Sequence, residues 1–365
     1  MKKISRNILL AVVSMLVVVG CDNMEGLSPR YGTIQFGTEE IRVSAKSRAF
    51  VDQEGIDNGS VPVYVHALIN GSQQLYPVTG TAQGERIVQD PTTAKWLPSS
   101  SYNYRDWRAG SSYTLNGFAY TPTNATSSSM LTIKSYGKEI VVNQPSTYNP
   151  AQMVDYMLSH TFTVADGRVR PLVQLDLEHA MSLIEVRLVK HESINEAYIE
   201  NVTMSGFFRS ATMNCIAPAV YNSGDSNEWN AALAGSDDTV YSFTPAPYTD
   251  QEGRVPMVTK GEEGEVVMAF LAIPQQMEMV NTLRVSFWVN EKFNFDDESE
   301  PDNFVRHAAE FKLYNYSPIV WRSGHRVVYT LEVDTGIHLQ GVIAPWIDVD
   351  YIEGTVLPEI KYDEF

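Results

Sequence analysis

Apolar and polar residues alternate along most of this chain with a period of two. In one stretch every second residue is apolar, at Val61, Val63, Val65, Ala67 and Ile69. In a second stretch the same spacing joins Tyr113, Leu115, Gly117 and Ala119. This period is typical of a strand with one buried face. Similar runs, rich in β-branched and aromatic residues, predict strands at 131–134, 139–142, 173–177, 183–190, 198–204, 240–243, 265–273, 283–289, 309–313, 326–333 and 339–343.

Turn residues separate these runs. Asn70-Gly71-Ser72 and Ser323-Gly324 are examples of turn chemistry. Residues 71–112 and 222–260 are interpreted as longer loops with short strands inside them. One segment, residues 149–159, has the apolar spacing of a helix, and Pro150 suits a first helical turn.

This pattern predicts an all-β protein with two antiparallel β-sandwiches in tandem and at most one short helix near their boundary. The helix candidate and the polar residues 165–168 indicate a boundary near residue 165. We therefore expect sandwiches at residues 31–164 and 165–346. A tether at 21–30 would precede them, and a tail at 347–365 would follow.

The first residues have the order of a bacterial secretory signal. Lys2, Lys3 and Arg6 precede an apolar run at residues 8–19, and Gly20 precedes Cys21. A cysteine directly after the small residue predicts a lipoprotein signal at 1–20 and acylation of Cys21. The alternatives are an ordinary signal peptide or a membrane helix, but spanning a bilayer takes about 20 apolar residues. The prediction implies export and attachment to the outer membrane through lipid.

Charge narrows the set of partners. The chain carries a formal charge of −17, and removing the three bases of residues 1–20 takes it to −20. Such a chain repels phosphate backbones, so we expect no nucleic-acid partner. Apart from Cys21 the only cysteine is Cys215, so no intrachain disulfide is expected in the mature chain.

The motifs of known catalytic and metal sites are missing from the sequence. It has no Gly-x-Ser-x-Gly elbow, His-Glu-x-x-His helix, phosphate loop or dinucleotide fingerprint. The seven histidines lack a helical ligand spacing, and the acidic residues 296–302 lack the spacing of a calcium loop. We expect no enzyme activity, no metal and no cofactor. Trp96, Tyr104 and Trp107 lie in a polar stretch, where they would either stack on sugars or cover an apolar sheet edge.

Several segments, in order, resemble the fimbrillin family of the Bacteroidales, the lipoprotein pilins of type V pili. The similar segments are 113–122 (YTLNGFAYTP), 171–190 (PLVQLDLEHAMSLIEVRLVK), 270–275 (FLAIPQ), 321–331 (WRSGHRVVYTL) and Pro345-Trp346. One departure is Leu177, where the family usually has Phe. The resemblance covers most of the chain behind the lipoprotein signal.

The resemblance implies two transthyretin-like sandwiches and a pilus subunit, whether shaft, tip or accessory, that assembles by β-strand exchange and mediates adhesion. In the family an Arg-specific protease removes the first strand of the precursor, and the groove accepts a strand from another pilin subunit. Residues 31–45 read as a strand here, so Arg48 is the candidate cleavage site, with Arg30 and Arg42 as other arginines nearby. A host or glycan ligand would be a further partner.

Other functions stay open at the level of sequence. The tail at 347–365 is a donor or an edge strand, although Gly354 and Pro358 interrupt its alternation. A surface glycan-binding lipoprotein of a nutrient-uptake system would share the signal and use Trp96, Tyr104 and Trp107 for stacking. A β-sandwich hydrolase would need convergent carboxylates with perturbed pKa values.

Overall fold

The structure, a computed structural model, describes residues 30–36, 42–43, 56, 59–78, 84–93, 95–134, 139–214, 229–230, 240–243, 255–259, 266–292, 301–315, 320–333, 337–345 and 355–356. Cys21, Arg48 and Cys215 lie outside these residues, as does most of the acidic run at 296–302. Among the described residues no helix is long and apolar enough to cross a membrane.

Strands dominate the described chain, which confirms the all-β prediction. In chain order they are β1 (Arg30–Thr33), β2 (Arg42–Val43), β3 (Val63–Ile69), β4 (Gln73–Tyr76), β5 (Glu85–Gln89), β6 (Trp96–Pro98), β7 (Asp106–Arg108), β8 (Tyr113–Thr121), β9 (Leu131–Lys134), β10 (Glu139–Asn143), β11 (Asp155–Ser159), β12 (Phe162–Val164), β13 (Asp176–His179), β14 (Ser182–Lys190), β15 (Ala197–Ser205), β16 (Ser210–Asn214), β17 (Trp229–Asn230), β18 (Val240–Phe243), β19 (Val255–Pro256), β20 (Val258–Thr259), β21 (Val266–Ala272), β22 (Gln275–Gln276), β23 (Thr282–Asn290), β24 (Phe304–Lys312), β25 (Val320–Trp321), β26 (His325–Val333), β27 (Ile337–Pro345) and β28 (Thr355–Val356). The helical elements described in full are three-residue 3-10 turns at Ser101–Asn103, Pro150–Gln152, Gly167–Val169 and Leu313–Asn315.

The helix predicted at residues 149–159 is wrong. Pro150 begins a single 3-10 turn, and the remainder forms β11, which pairs with β8 and β13. Every residue of β11 is buried, so the strand shows no alternation of polar and apolar positions. A strand covered on both faces cannot be told from a buried helix by periodicity.

The first sandwich is built on a nine-stranded sheet of the described residues, with β2-β13-β11-β8-β3-β5-β6 in order and β4 and β12 paired alongside. Val63 and Val65 on β3 and Leu115 and Ala119 on β8 lie in the core of this sandwich, together with Ile87 on β5. The apolar positions on β3 and β8 are the ones whose spacing of two predicted a buried face.

The second sandwich packs two sheets face to face. One holds β14, β20, β21 and β26–β28, and the other holds β15, β18, β19, β23 and β24. Apolar residues from both sheets, such as Ile184, Tyr329, Val202 and Leu283, fill the space between them. The central pair β14–β26 is parallel over eight residue positions, unlike the antiparallel arrangement that was expected throughout.

The two halves share strands and core. Val173, Leu175 and Leu177 pack in the first core, and Ala180 packs in the second. The boundary near residue 165 stays a prediction. Four further strands form a sheet in the order β17-β16-β10-β9, in which β10 of the first half pairs with β16 of the second. On β8 and β11, the faces away from the first core carry residues that pack in the second core: Phe118, Tyr120, Tyr156 and Leu158.

Candidate strand-acceptor groove

An N-terminal segment of the described residues, 30–36 and 42–43, lies across the two edges of the first sheet. The Phe36 backbone exchanges two hydrogen bonds with Trp96, at 3.1 and 3.2 Å, and bridges β6. On its other side, the Val173 N–H donates to the Gln35 carbonyl at 3.1 Å. The segment therefore fills the space between β6 and the chain that leads into β13, as one strand of the sandwich.

The rest of the N-terminal segment pairs with β7 and β13. β1 is antiparallel to β7, and the Ile34 N–H donates to the Arg105 carbonyl at 2.8 Å. β2 runs parallel to the beginning of β13. The register of β1 shifts between Arg30 and Thr33, where Gly32 has a φ of +83° in the left-handed region that favours glycine.

Two side chains anchor the segment in the first core. Ile34 and Phe36 are both 0 % exposed, and the Phe36 ring lies 6.0 Å from the ring of Tyr76. They point to the same face because side chains two residues apart do so in a strand. Burying such a side chain contributes about 1.5–3 kcal/mol each. Without these two residues, the first core would have an open apolar groove bordered by unpaired backbone groups.

Two of the three aromatic residues predicted as a possible sugar platform, Trp96 and Trp107, lie in the first core with Ile34 and Phe36. Trp96 and Trp107 are 3 % and 2 % exposed, whereas Tyr104 is 37 % exposed. Trp107 packs edge-on against Tyr113 at 4.7 Å, and the Tyr113 hydroxyl accepts a hydrogen bond from the Arg108 N–H at 2.7 Å. The burial of both indoles fits the interpretation that they cover the sheet edge rather than bind sugars.

β7, the partner of β1, is supported from behind by the turn Gly167–Val169. A Cβ on Gly167 would lie 2.4 Å from the Arg108 carbonyl oxygen, so only glycine allows this approach. Asp166 caps the turn by accepting hydrogen bonds from the backbone N–H groups of Arg168 and Gly110. Hydrogen bonds from the Arg168 side chain and these N–H groups hold the pKa of Asp166 well below its usual range.

A buried carboxylate organises the loops next to the groove. Glu85 on β5 is buried, and it accepts hydrogen bonds from the Val78 N–H at 3.1 Å and from Asn103 Nδ2 at 2.6 Å. These hydrogen bonds hold two segments against β5: the residues that follow β4 and the 3-10 turn Ser101–Asn103. Burial raises the pKa of the nearby Tyr76 hydroxyl.

At the junction of the sandwiches the structure brings together two residues that sequence spacing did not indicate. His179 Nδ1 lies 3.0 Å from the carboxylate of Asp155, and both side chains are completely buried. The two residues are 24 positions apart, and only the pairing of β11 with β13 brings them together. Their burial indicates a structural role in fixing the junction.

The segments that carried the resemblance meet at this junction. The Gly324 N–H donates to the Met181 carbonyl at 2.9 Å, and the Ser182 hydroxyl donates to the Arg322 carbonyl at 2.6 Å. Trp321 stacks on Phe207 with ring centroids 4.6 Å apart, and its Nε1 donates to the Tyr329 hydroxyl at 2.9 Å. These motif residues therefore pack and hydrogen-bond with one another in the second sandwich, beside the junction.

Comparison with known proteins gives the family. The model of a family described as fimbrillin-like matches residues 79–346. The chain belongs to the fimbrillin-like family. No curated protein matches this fimbrillin-like protein in sequence. Within its described residues, no group of three or more His, Cys, Asp or Glu side chains could hold a metal ion.

Solved structures of several fimbrial proteins are similar to this fimbrillin-like protein. A fimbrial protein from Bacteroides vulgatus is similar with a TM-score of 0.55 at 12 % identity, covering 86 % of this chain and 99 % of the other. A fimbrial assembly protein from Parabacteroides distasonis has a TM-score of 0.41 at 11 % identity, with coverages of 89 % and 99 %. The tip fimbrial protein Mfa3 from Porphyromonas gingivalis has a TM-score of 0.36 at 9 % identity, with coverages of 86 % and 99 %.

Proposed function

We propose that this fimbrillin-like protein is a lipid-anchored subunit of a cell-surface fimbrium that assembles with other pilin subunits by β-strand exchange and mediates adhesion. Lipid on Cys21 would carry it to the outer membrane. The observation that supports strand exchange most directly is the N-terminal segment, which is bonded to both edges of the first sheet and anchored by Ile34 and Phe36.

The geometry of that segment suits replacement by another strand. Its hydrogen bonds to Arg105, Trp96 and Val173 come from the backbone, so a different sequence can make them equally well. Its specificity rests on two apolar anchors at alternate positions, which a donor strand with the same spacing can supply. An empty groove would expose apolar surface and unpaired strand edges, and a donor strand would cover both.

Arg48 lies after this segment in the chain and is the proposed cleavage site for an Arg-specific processing protease. A cut there would detach Ile34, Phe36, β1 and β2 from the rest of the protein. Arg30 and Arg42 fall within β1 and β2, where backbone pairing opposes entry into a protease active site.

The tail after residue 346 is the proposed donor. Its described residues, Thr355 and Val356, pair with β27 at the edge of the second sandwich. Release of this pairing would free the tail to act as a donor strand. If the pairing persists instead, the tail stays an edge strand, and a tip or accessory subunit becomes the proposed role.

Digestion of the purified precursor with an Arg-specific protease tests the proposal. We expect one cut after Arg48, read by N-terminal sequencing, followed by SDS-resistant ladders that heat dissolves. The matched variant Arg48→Lys keeps the charge and should resist both cutting and ladder formation.

Three results discriminate among the parts of the proposal. Cleavage without ladders would contradict self-polymerisation and leave a strand acceptor that does not donate. Ladders that form equally in Arg48→Lys would contradict the cleavage site. Retention of Cys21→Ser in the outer membrane would contradict the lipid anchor, independently of the other two results.

A further inference from the structure

The open edge of β21 in the second sandwich is covered by side chains rather than by a strand. β21 pairs with β14 on one side, and among the described residues no strand pairs with its other side. On that side the Tyr148 hydroxyl donates to the Ala269 carbonyl at 3.1 Å and accepts from the Ala269 N–H at 3.2 Å. The Met153 sulfur accepts from the Leu271 N–H at 3.3 Å.

These contacts imitate a neighbouring strand. In an antiparallel pair every second residue directs both of its backbone groups away from the partner. Ala269 and Leu271 are two positions apart, so their outward groups are those that a further strand would bond. The Tyr148 hydroxyl acts as donor and acceptor at once, as a peptide unit would, and burial raises its pKa so that it keeps its proton.

The covering residues belong to a closed loop, here called the strap, residues 144–154. The buried Gln144 side chain closes its base, since Gln144 Nε2 donates to the Val154 carbonyl and Gln144 Oε1 accepts from the Val154 N–H, both at 2.8 Å. The 3-10 turn Pro150–Gln152 shortens the loop between the two contact residues. The strap is therefore fixed at its ends and holds Tyr148 and Met153 against β21.

The sequence of β21 explains why such a cover is needed. Its seven residues, VVMAFLA, are all apolar and contain no charge, proline or glycine. A segment of this kind on an open edge is prone to pair with an identical segment. By contrast, the edge strand β24 carries charged side chains, including Arg306, Glu310 and Lys312, whereas β21 carries none.

We propose that the strap is a built-in edge guard, and that without it β21 pairs with β21 of a second copy of this chain. The guard would keep the second sandwich closed while strand exchange takes place elsewhere in the molecule. The inference does not depend on the proposed function, because it concerns a different sheet and requires no cleavage.

The double variant Tyr148→Phe/Met153→Leu tests the guard in the full-length chain. It keeps both side-chain volumes and removes only the hydroxyl and the sulfur. We expect hydrogen exchange in the peptide covering residues 266–272 to accelerate roughly five- to thirty-fold. We also expect concentration-dependent dimers or larger species in analytical ultracentrifugation, whereas the parent chain stays monomeric when uncleaved.

Two further variants separate edge pairing from loss of stability. Tyr113→Phe removes another tyrosine hydroxyl that accepts a backbone N–H, but in the first sandwich, and should remain monomeric. Adding Val266→Glu to the double variant places a charge on the half-exposed end of β21 opposite Arg187 and should restore the monomer. A monomeric double variant with unchanged exchange would overturn the proposal, as would equal association of Tyr113→Phe or failure of Val266→Glu to reverse it.

Discussion

The two sandwiches complete their sheets by different means. The first is completed by a backbone segment, residues 30–36 and 42–43, whose peptide groups bond both edges and whose Ile34 and Phe36 enter the core. In the second, the strap covers β21 with the Tyr148 hydroxyl and the Met153 sulfur. Backbone bonds can be reproduced by any extended chain, whereas the side-chain contacts depend on particular residues. Under the proposed function, a groove of the first kind would change its occupant, whereas an edge of the second kind would stay closed.

The largest effect that distinguishes the two regions is expected from their buried phenylalanines. Phe36→Ala and Phe270→Ala each remove a fully buried ring and should each lower the free energy of unfolding by about 3–5 kcal/mol. Only Phe36→Ala should also speed cutting by an Arg-specific protease, because it loosens the N-terminal segment. Denaturant titration measures the free energy of unfolding, and digestion time courses measure the rate of cutting. Equally faster cutting in the two variants would contradict the predicted difference between the sandwiches.

Loss of the buried pair at the junction should weaken both sandwiches together. His179→Ala removes the imidazole beside the buried Asp155 carboxylate and should cost about 3 kcal/mol. The control His160→Ala breaks a pair with Glu178 that is exposed and should cost less than about 1 kcal/mol. Thermal unfolding measures the loss of stability in each variant. Equal losses would mean that the buried junction pair contributes no more than the exposed pair.

A backbone clash behind β7 should loosen the groove by a smaller amount. Gly167→Ala places a Cβ against the Arg108 carbonyl and should cost about 2 kcal/mol. Gly206→Ala creates a similar clash with the Val280 carbonyl in the second sandwich. Faster hydrogen exchange at residues 30–36 is expected only for Gly167→Ala, and faster exchange there in Gly206→Ala would argue against separate control of the groove.

The smallest effect is a pH dependence confined to the first sandwich. The pKa of Asp166 is lowered when the protein folds, so the stability that it contributes is complete above its ordinary value of 3.8 and is lost as pH falls from there through the lower pKa of the folded state. Asp166→Asn should therefore flatten the acid end of the stability profile of the first sandwich. Melting temperatures of the parent protein and of Asp166→Asn, measured between neutral and acidic pH, test this prediction. If both melting temperatures fall equally with pH, Asp166 does not contribute to the acid sensitivity.

The strands that sequence predicted best are those whose polar and apolar residues alternate. β3 alternates because its opposite faces meet different surroundings. β8 is buried on both faces from Leu115 to Tyr120, but the polar Thr114 and Asn116 keep the alternation visible in its sequence. β11 was missed because all five of its residues are buried, which removes the alternation. The polar residues near 165, on which the predicted boundary rests, belong to a turn that packs on β7.

The groove was predictable only in part. The apolar residues Ile34 and Phe36 and the later arginine could be read from the chain, but the two edges that they join come from Trp96 and Val173, far along the sequence. The pairing of Asp155 with His179 and of Tyr148 with Ala269 also depends on long-range topology. Such contacts leave no local pattern, because each residue type is ordinary in its own segment.

The shared sheet that joins β10 to β16 has a mechanical consequence. Five consecutive residue pairs link the first half to the second, and a common apolar core reinforces them. Two domains connected in this way lack the freedom to pivot that a polar linker gives. Under tension along a fibre, each subunit would behave as one stiff body, and any bending would be confined to the joints between subunits.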